Sequence, residues 1–189
     1  MKGKIVNDRD QIQLQQTRAF NRDALAAIYD NYHQAIYRYI YRQVGEVDAT
    51  RDLTSAVFHR FLQAIKNGRG PNKSLKSWLY RTAHNLVIDH YRRQKHRQHA
   101  PLKEDLIDAN DNPVTLAEQR ISADIVRAAL QHLTPDQRQV ITLKFLEGLS
   151  NQEVAEITNK PIGAVKSLQH RALAALQRRL ASSEERMPL

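Results

Sequence analysis

Apolar residues recur at spacings of three and four along almost the whole chain, and no stretch alternates with a period of two between turn signals. That pattern is the signature of helices with one apolar stripe each, so the chain is read as all-α with no sheet. The first stripe lies on a helix from about Phe20 to Val44 and contains Leu25, Ile28, Tyr29, Tyr32, Ile36, Tyr39 and Ile40. It breaks at Gly45. The second runs from about Asp48 to Lys66 with Leu53, Val57, Phe61, Ala64 and Ile65 on one side. The run from Asn67 to Asn72, rich in Gly and closed by Pro71, is a loop. The third helix starts near Ser74, a suitable N-cap, places Leu75, Leu79, Ala83 and Leu86 inward, and turns strongly basic from Arg92 to Arg97.

From His99 to about Pro113 the apolar pattern thins, and Glu104, Asp105, Asp108 and Asp111 make the stretch acidic. A flexible acidic linker therefore separates two small helical domains. The second domain opens on a helix from about Leu116 to His132. Thr134-Pro135-Asp136-Gln137 starts the next one with an N-cap, a Pro at the first helical position and a Gln three residues past the cap. That helix is expected to stop at Gly148. Ser150 and Glu153 repeat the capping box for a short helix ending near Thr158, and a last helix runs from about Ile162 to Leu180.

Charge and composition narrow the class of function. Lys and Arg number 29 against 20 Asp and Glu, a formal +9, which favours a polyanionic partner such as nucleic acid or an anionic membrane surface. No apolar run approaches the roughly 18 residues of a membrane span. The start from Met1 to Gln16 is polar and lacks the apolar stretch of a secretory signal, so a cytoplasmic chain without membrane insertion is expected. With no Cys there are no disulfides, thiolate zinc sites or thiol redox sensors. His84, Asp89 and His90 are the residues an enzyme or metal-site reading would use. Asp89 and His90 point about 100° apart on a helix and no further ligand cluster accompanies them, so no enzyme activity, metal, cofactor or small-molecule substrate is expected.

The two helices joined by the tight turn at Thr158–Pro161 have the spacing of a helix-turn-helix. Ala155 is the small residue that lets the second helix cross close to the first, and Asn159 tolerates the left-handed conformation of the turn. Val165 and Leu168 then anchor the second helix, leaving Lys166, Ser167, Gln169, His170 and Arg171 for phosphates or base edges. A helical hairpin with a solvated basic face is the plainer alternative.

The run from Leu133 to Val140, then Glu147 to Ala155, then Gly163 to Ser167, resembles region four of sigma factors. Arg51-Asp52-Leu53-Thr54-Ser55-Ala56-Val57-Phe58 resembles region 2.2, and the run from Leu75 to Arg93 resembles regions 2.3 and 2.4. Both units in this order identify the chain as a member of the small extracytoplasmic-function (ECF) type of the sigma-70 family. The resemblance implies residues 17–97 as region 2 after a polar segment 1–16, a linker 98–115, region 4 over 116–182, and a tail 183–189. It implies core RNA polymerase as partner, through the β′ clamp helices and the β flap, together with promoter DNA and, commonly, an anti-sigma protein. By position, Asp52, Leu53, Ser55, Ala56 and Phe58 would dock on polymerase. Trp78, Arg81, Asn85, Asp89 and Arg92, which share one helix face, with Arg93 beside them and Arg69, Asn72 and Lys73 of the preceding loop, would read the minus-ten element. Lys166, Ser167, Gln169, His170 and Arg171 would read the minus-thirty-five element. The acidic linker would thread towards the RNA channel.

The chain departs from the family pattern in two places. Leu168-Gln169 stands where many relatives have Arg and an apolar residue. Arg51, Ser55 and Ala56 replace several of the acidic or Gln-Glu positions that relatives use for docking; a phosphate on Thr54 or Ser55 would return negative charge there. The rival function is a stand-alone helix-turn-helix regulator that binds palindromic duplex without polymerase.

Overall fold

The computed structural model describes residues 21–72, 74–97, 126 and 128–184. Within them the chain is helical, with no strand among the described residues, and it divides into two compact units, 1–99 and 100–189.

Unit 1 is a three-helix bundle of α1 (Arg22–Val44), α2 (Val47–Lys66) and α3 (Leu75–Arg97). Asn21 caps α1, its side-chain oxygen accepting from the N–H groups of Asp23 and Ala24 at 2.9 and 3.3 Å. Gly45 stops the helix at φ 80°, a left-handed conformation that costs glycine nothing, and its N–H reaches Tyr41 O at 2.8 Å. The chain then reverses at once into α2. The stripes read from the sequence meet in the core: Ile28, Ile36, Tyr39 and Ile40 from α1, Leu53, Val57, Phe61 and Ile65 from α2, and Leu75, Leu79, Ala83 and Leu86 from α3 are all buried. Each such side chain contributes about 1.5–3 kcal/mol by leaving water. Tyr39 and Tyr80 meet edge to face at 5.4 Å, and the Tyr91 hydroxyl donates to Gln43 O, which fastens the far end of α3 to the end of α1.

Unit 2 contains the end of a helix at residues 128–131, then α4 (Pro135–Ile141), a π-helical turn (Thr142–Leu146), α5 (Asn151–Thr158) and α6 (Ile162–Glu184). Both capping boxes form. Thr134 Oγ1 accepts from Gln137 N while Gln137 Oε1 accepts from Thr134 N, and Ser150 and Glu153 do the same. Leu130, Leu133 and Ile141 pack on Ala172 of α6, and Leu143, Leu149, Val154, Ile157, Val165 and Leu168 are likewise buried.

The structure differs from the expected pattern in one element and one boundary. The expected helix up to Gly148 loses its α register after Ile141, and Glu147 N bonds Thr142 O, five residues back, at 3.0 Å. The wider turn keeps Thr142 and Leu143 inside while Phe145 and Leu146 emerge at 53% and 41% exposure. The last helix continues past the expected Leu180 to Glu184. The N-terminal segment, the acidic linker, Lys73 and the tail beyond Glu184 lie outside the described residues.

Candidate promoter and polymerase interfaces

The loop before α3 is fixed at both ends. Arg69 N bonds Ala64 O at 2.8 Å, and Pro71 is buried. At Gly70 a Cβ would stand 2.5 Å from Ile65 Cδ1, so a side chain there would have to displace that terminal methyl, which glycine leaves in place. Arg69 and Asn72 are thereby presented to solvent beside the start of α3. Ser74 caps that helix, accepting from Ser77 N at 3.2 Å.

Along α3, Arg81, Asn85 and Arg92 are exposed and Asp89 is half-buried, on a different side from Leu75, Leu79, Ala83 and Leu86, whereas Arg93, also exposed, stands about five turns from Leu75 on the side that borders α2. Asp89 organises the basic end. Its carboxylate pairs with Arg92 at 3.2 Å, and its carbonyl accepts from Arg93 Nε, also at 3.2 Å. Trp78 is half-buried with its ring edge-on to the core residue Phe61 at 5.8 Å, so it anchors the helix and also leaves part of its ring in solvent. The face therefore alternates cations with an amide and a partly open indole. Such a set can follow a phosphate backbone and hold unpaired bases.

On α2 the resemblance needs a correction. Leu53 and Phe58 belong to the inward stripe, at 6% and 7% exposure, and are core residues rather than contact residues. Asp52 and Ser55 are exposed, and Ala56 is half-buried. Thr54 is also corrected: at 1% exposure its hydroxyl donates to Thr50 O at 2.7 Å, so a kinase finds no accessible oxygen there, whereas Ser55 stays open. A cleft of about 430 Å³ lined by Glu46, Asp52, His90 and Arg93 joins the start of α2 to the basic end of α3. His84, six residues from His90, is buried.

In unit 2, Asn159 adopts φ 53°, ψ 43° and ends α5, and Lys160 N reaches Ala155 O at 3.0 Å. Ala155, Val165 and Leu168 are buried, as the helix-turn-helix spacing requires. Lys166, Ser167, His170 and Arg171 are exposed on α6. The Ser167 hydroxyl donates back to Gly163 O at 3.0 Å, and Arg171 Nε lies against Ser167 O at 3.3 Å. Gln169 does not project with them. Its amide donates to Asn151 Oδ1 at 2.8 Å and clamps α6 to the start of α5. One structural residue carried no sign of its role in the sequence: Arg138 donates to Leu130 O at 3.0 Å and Gln131 O at 3.2 Å, capping the helix that ends there. Lys160 likewise ties the turn to α4 through Asp136 at 3.0 Å.

Residues 28–97 match the family described as Sigma-70 region 2, and residues 123–176 the family described as Sigma-70, region 4. The chain is 35% identical over 170 residues to the ECF RNA polymerase sigma factor BldN of Streptomyces coelicolor, covering 88% of this chain and 64% of that longer relative. It is 32% identical over 166 residues to the ECF RNA polymerase sigma factor SigX of Bacillus subtilis, covering 85% of each. Among solved structures, CnrH in complex with the cytosolic domain of CnrY shares the fold, with a TM-score of 0.70 and 21% identity over 92% of this chain and 97% of that one. A region 2 unit ahead of the helix-turn-helix does not favour the stand-alone regulator. The chain belongs to the ECF sigma factors of the sigma-70 family, the proteins that bind core RNA polymerase and direct promoter-specific initiation.

Proposed function

We propose that the promoter is read by two faces of this chain. The solvent side of α3 from Trp78 to Arg93, with Arg69, Asn72 and Lys73 of the loop before it, holds the separated minus-ten strand. Asn85 bonds an unpaired base there, and Arg92 and Arg93 contact the backbone. Lys166, Ser167, His170 and Arg171 meet the minus-thirty-five element as duplex, while Gln169 acts through its bond to Asn151 and positions the helix. Polymerase docks on the exposed part of α2 around Asp52 and Ser55, with Ala56 at its edge. The chain carries out no chemistry of its own and works in the cytoplasm with the polymerase.

The observation that carries the minus-ten assignment is the pairing of exposed Asn85 and Arg81 with a basic helix end held by Asp89. Asn85→Ala is expected to leave core binding and duplex promoter binding intact while reducing open complexes about tenfold, the equivalent of one lost base contact of roughly 1–3 kcal/mol. Permanganate reactivity of unpaired thymines reads this directly. Unchanged strand opening would remove Asn85 from the role.

A protein partner that masks these surfaces is also proposed. The sigma factor RpoE of Bartonella quintana, a neighbour in fold, is held in its structure by the anti-sigma factor NepR. Co-purification of one stoichiometric protein whose addition blocks core binding by this chain is the expected result.

A further inference from the structure

Ile88 is 44% exposed, and it is the one large apolar side chain of α3 left in solvent to that degree among the described residues. At 3.6 residues per turn it lies about 180° around the helix from the buried Leu79 and within about 60° of Arg81, Asn85, Arg92 and Lys95, all of them exposed. Its neighbour Asp89 pairs with Arg92 at 3.2 Å and so holds that guanidinium on the same side. A single exposed isoleucine is ordinary on a protein surface. This one stands in the middle of the cations and the amide of the strand-binding face, and none of the roles given above to that face uses it. Its branched Cβ fixes the side chain in one rotamer on a helix, so the apolar surface it presents is a rigid one.

The groups around Ile88 suit phosphates and base edges, but Ile88 can bond neither. An aliphatic side chain gains from contact only when it covers another apolar group. The aliphatic group that a base offers is the 5-methyl of thymine. With a rise of about 1.5 Å per residue, Ile88 lies about 4.5 Å along the axis from Asn85, towards Arg92. That distance is close to one nucleotide step, about 3.4 Å in a stacked strand and longer once bases are splayed apart. A strand whose base is held at Asn85 therefore brings its next base to Ile88.

We propose that Ile88 selects a thymine in the minus-ten strand by packing on the 5-methyl group of the nucleotide next to the one bonded by Asn85. The proposal rests on the minus-ten role given above to this face and adds a determinant of sequence to it. The test uses holoenzyme assembled from core polymerase and the full-length chain, on a promoter selected by that holoenzyme from random sequence. Each thymine of the non-template minus-ten strand is replaced in turn by deoxyuridine, which lacks only the methyl group, and heparin-resistant open complexes are counted for wild type, Ile88→Val, Ile88→Ala and Asn85→Ala. Melting temperatures confirm that each variant is folded. With wild type, deoxyuridine at one position is expected to lower open complexes about threefold to fivefold, the worth of one methyl group taken out of water. Ile88→Val keeps a branched apolar surface and is expected to keep that preference. Ile88→Ala is expected to lose about the same factor on the thymine promoter and to treat thymine and deoxyuridine alike. Asn85→Ala is expected to open both templates less well with their ratio preserved.

A wild-type holoenzyme indifferent to deoxyuridine at every position, or a selected minus-ten element without thymine, would overturn the proposal and leave the role of Asn85 standing. So would an Ile88→Ala loss that is equal on the two templates with their ratio unchanged, which would make Ile88 a wedge or a sugar contact. Normal opening by both Asn85→Ala and Ile88→Ala would overturn the minus-ten reading of the face together with the proposal.

Discussion

Asn159 holds a left-handed backbone, φ 53° and ψ 43°, at the turn between α5 and α6. Asn159→Ala is expected to cost about 1 kcal/mol, because it keeps the β-carbon that crowds the following carbonyl but loses the short polar side chain that favours this conformation, while Asn159→Gly, which removes the β-carbon, is close to neutral. Urea denaturation of the two variants measures the difference. Arg138→Ala removes two charge-assisted bonds from carbonyls at a helix end and is expected to cost about 1.5–3 kcal/mol by the same assay. Asn159 is legible in the sequence because its conformational tolerance is local. Arg138 is not, because its partners lie eight and seven residues back across a loop. Thr54 and Ser55 show the same limit. As neighbours on an amphipathic helix they look alike in sequence, yet one is sealed against Thr50 and the other open. Thr54→Glu is therefore expected to unfold unit 1 and Ser55→Glu to leave it folded, as far-ultraviolet circular dichroism will read.

At the scale of elements, helix positions and inward faces follow from periodicity and caps, since both are set by residues within one turn of each other. The stripes of α1, α2 and α3 and the two capping boxes illustrate this. The π-helical turn over Thr142–Leu146 escapes the pattern. Its sequence is compatible with an α-helix, and packing of Thr142 and Leu143 against the rest of unit 2 decides the wider register. On α6 the exposed set of Lys166, Ser167, His170 and Arg171 is readable from spacing, but the retreat of Gln169 onto Asn151 depends on how α5 and α6 cross. A Gln169→Ala change is expected to weaken promoter binding by loosening that crossing. Lys166→Ala and Arg171→Ala each lower the salt slope of binding by about one, the mark of a lost phosphate contact. Fluorescence anisotropy of a minus-thirty-five duplex across salt concentrations separates the two behaviours.

For the whole molecule, each unit supplies a different kind of contact. Unit 1 combines the proposed strand-binding face on α3 with the proposed docking face on α2, and a cleft lined by Asp52, His90 and Arg93 lies between the two helices. Unit 2 supplies the proposed duplex reader. Their order along the chain and the match of each to its family were visible in the sequence motifs, whereas the narrowing of the proposed docking face to Asp52 and Ser55 needed the burial of Leu53 and Phe58. Initiation from a library of random promoters, with purified core polymerase and this chain as sole specificity subunit, tests the account most directly. The account predicts transcripts starting at a common pair of minus-thirty-five and minus-ten sequences, present only when chain and core are combined and lost with Asn85→Ala. Failure to initiate with active core and folded chain, or tight sequence-specific duplex binding by the chain alone, would contradict it.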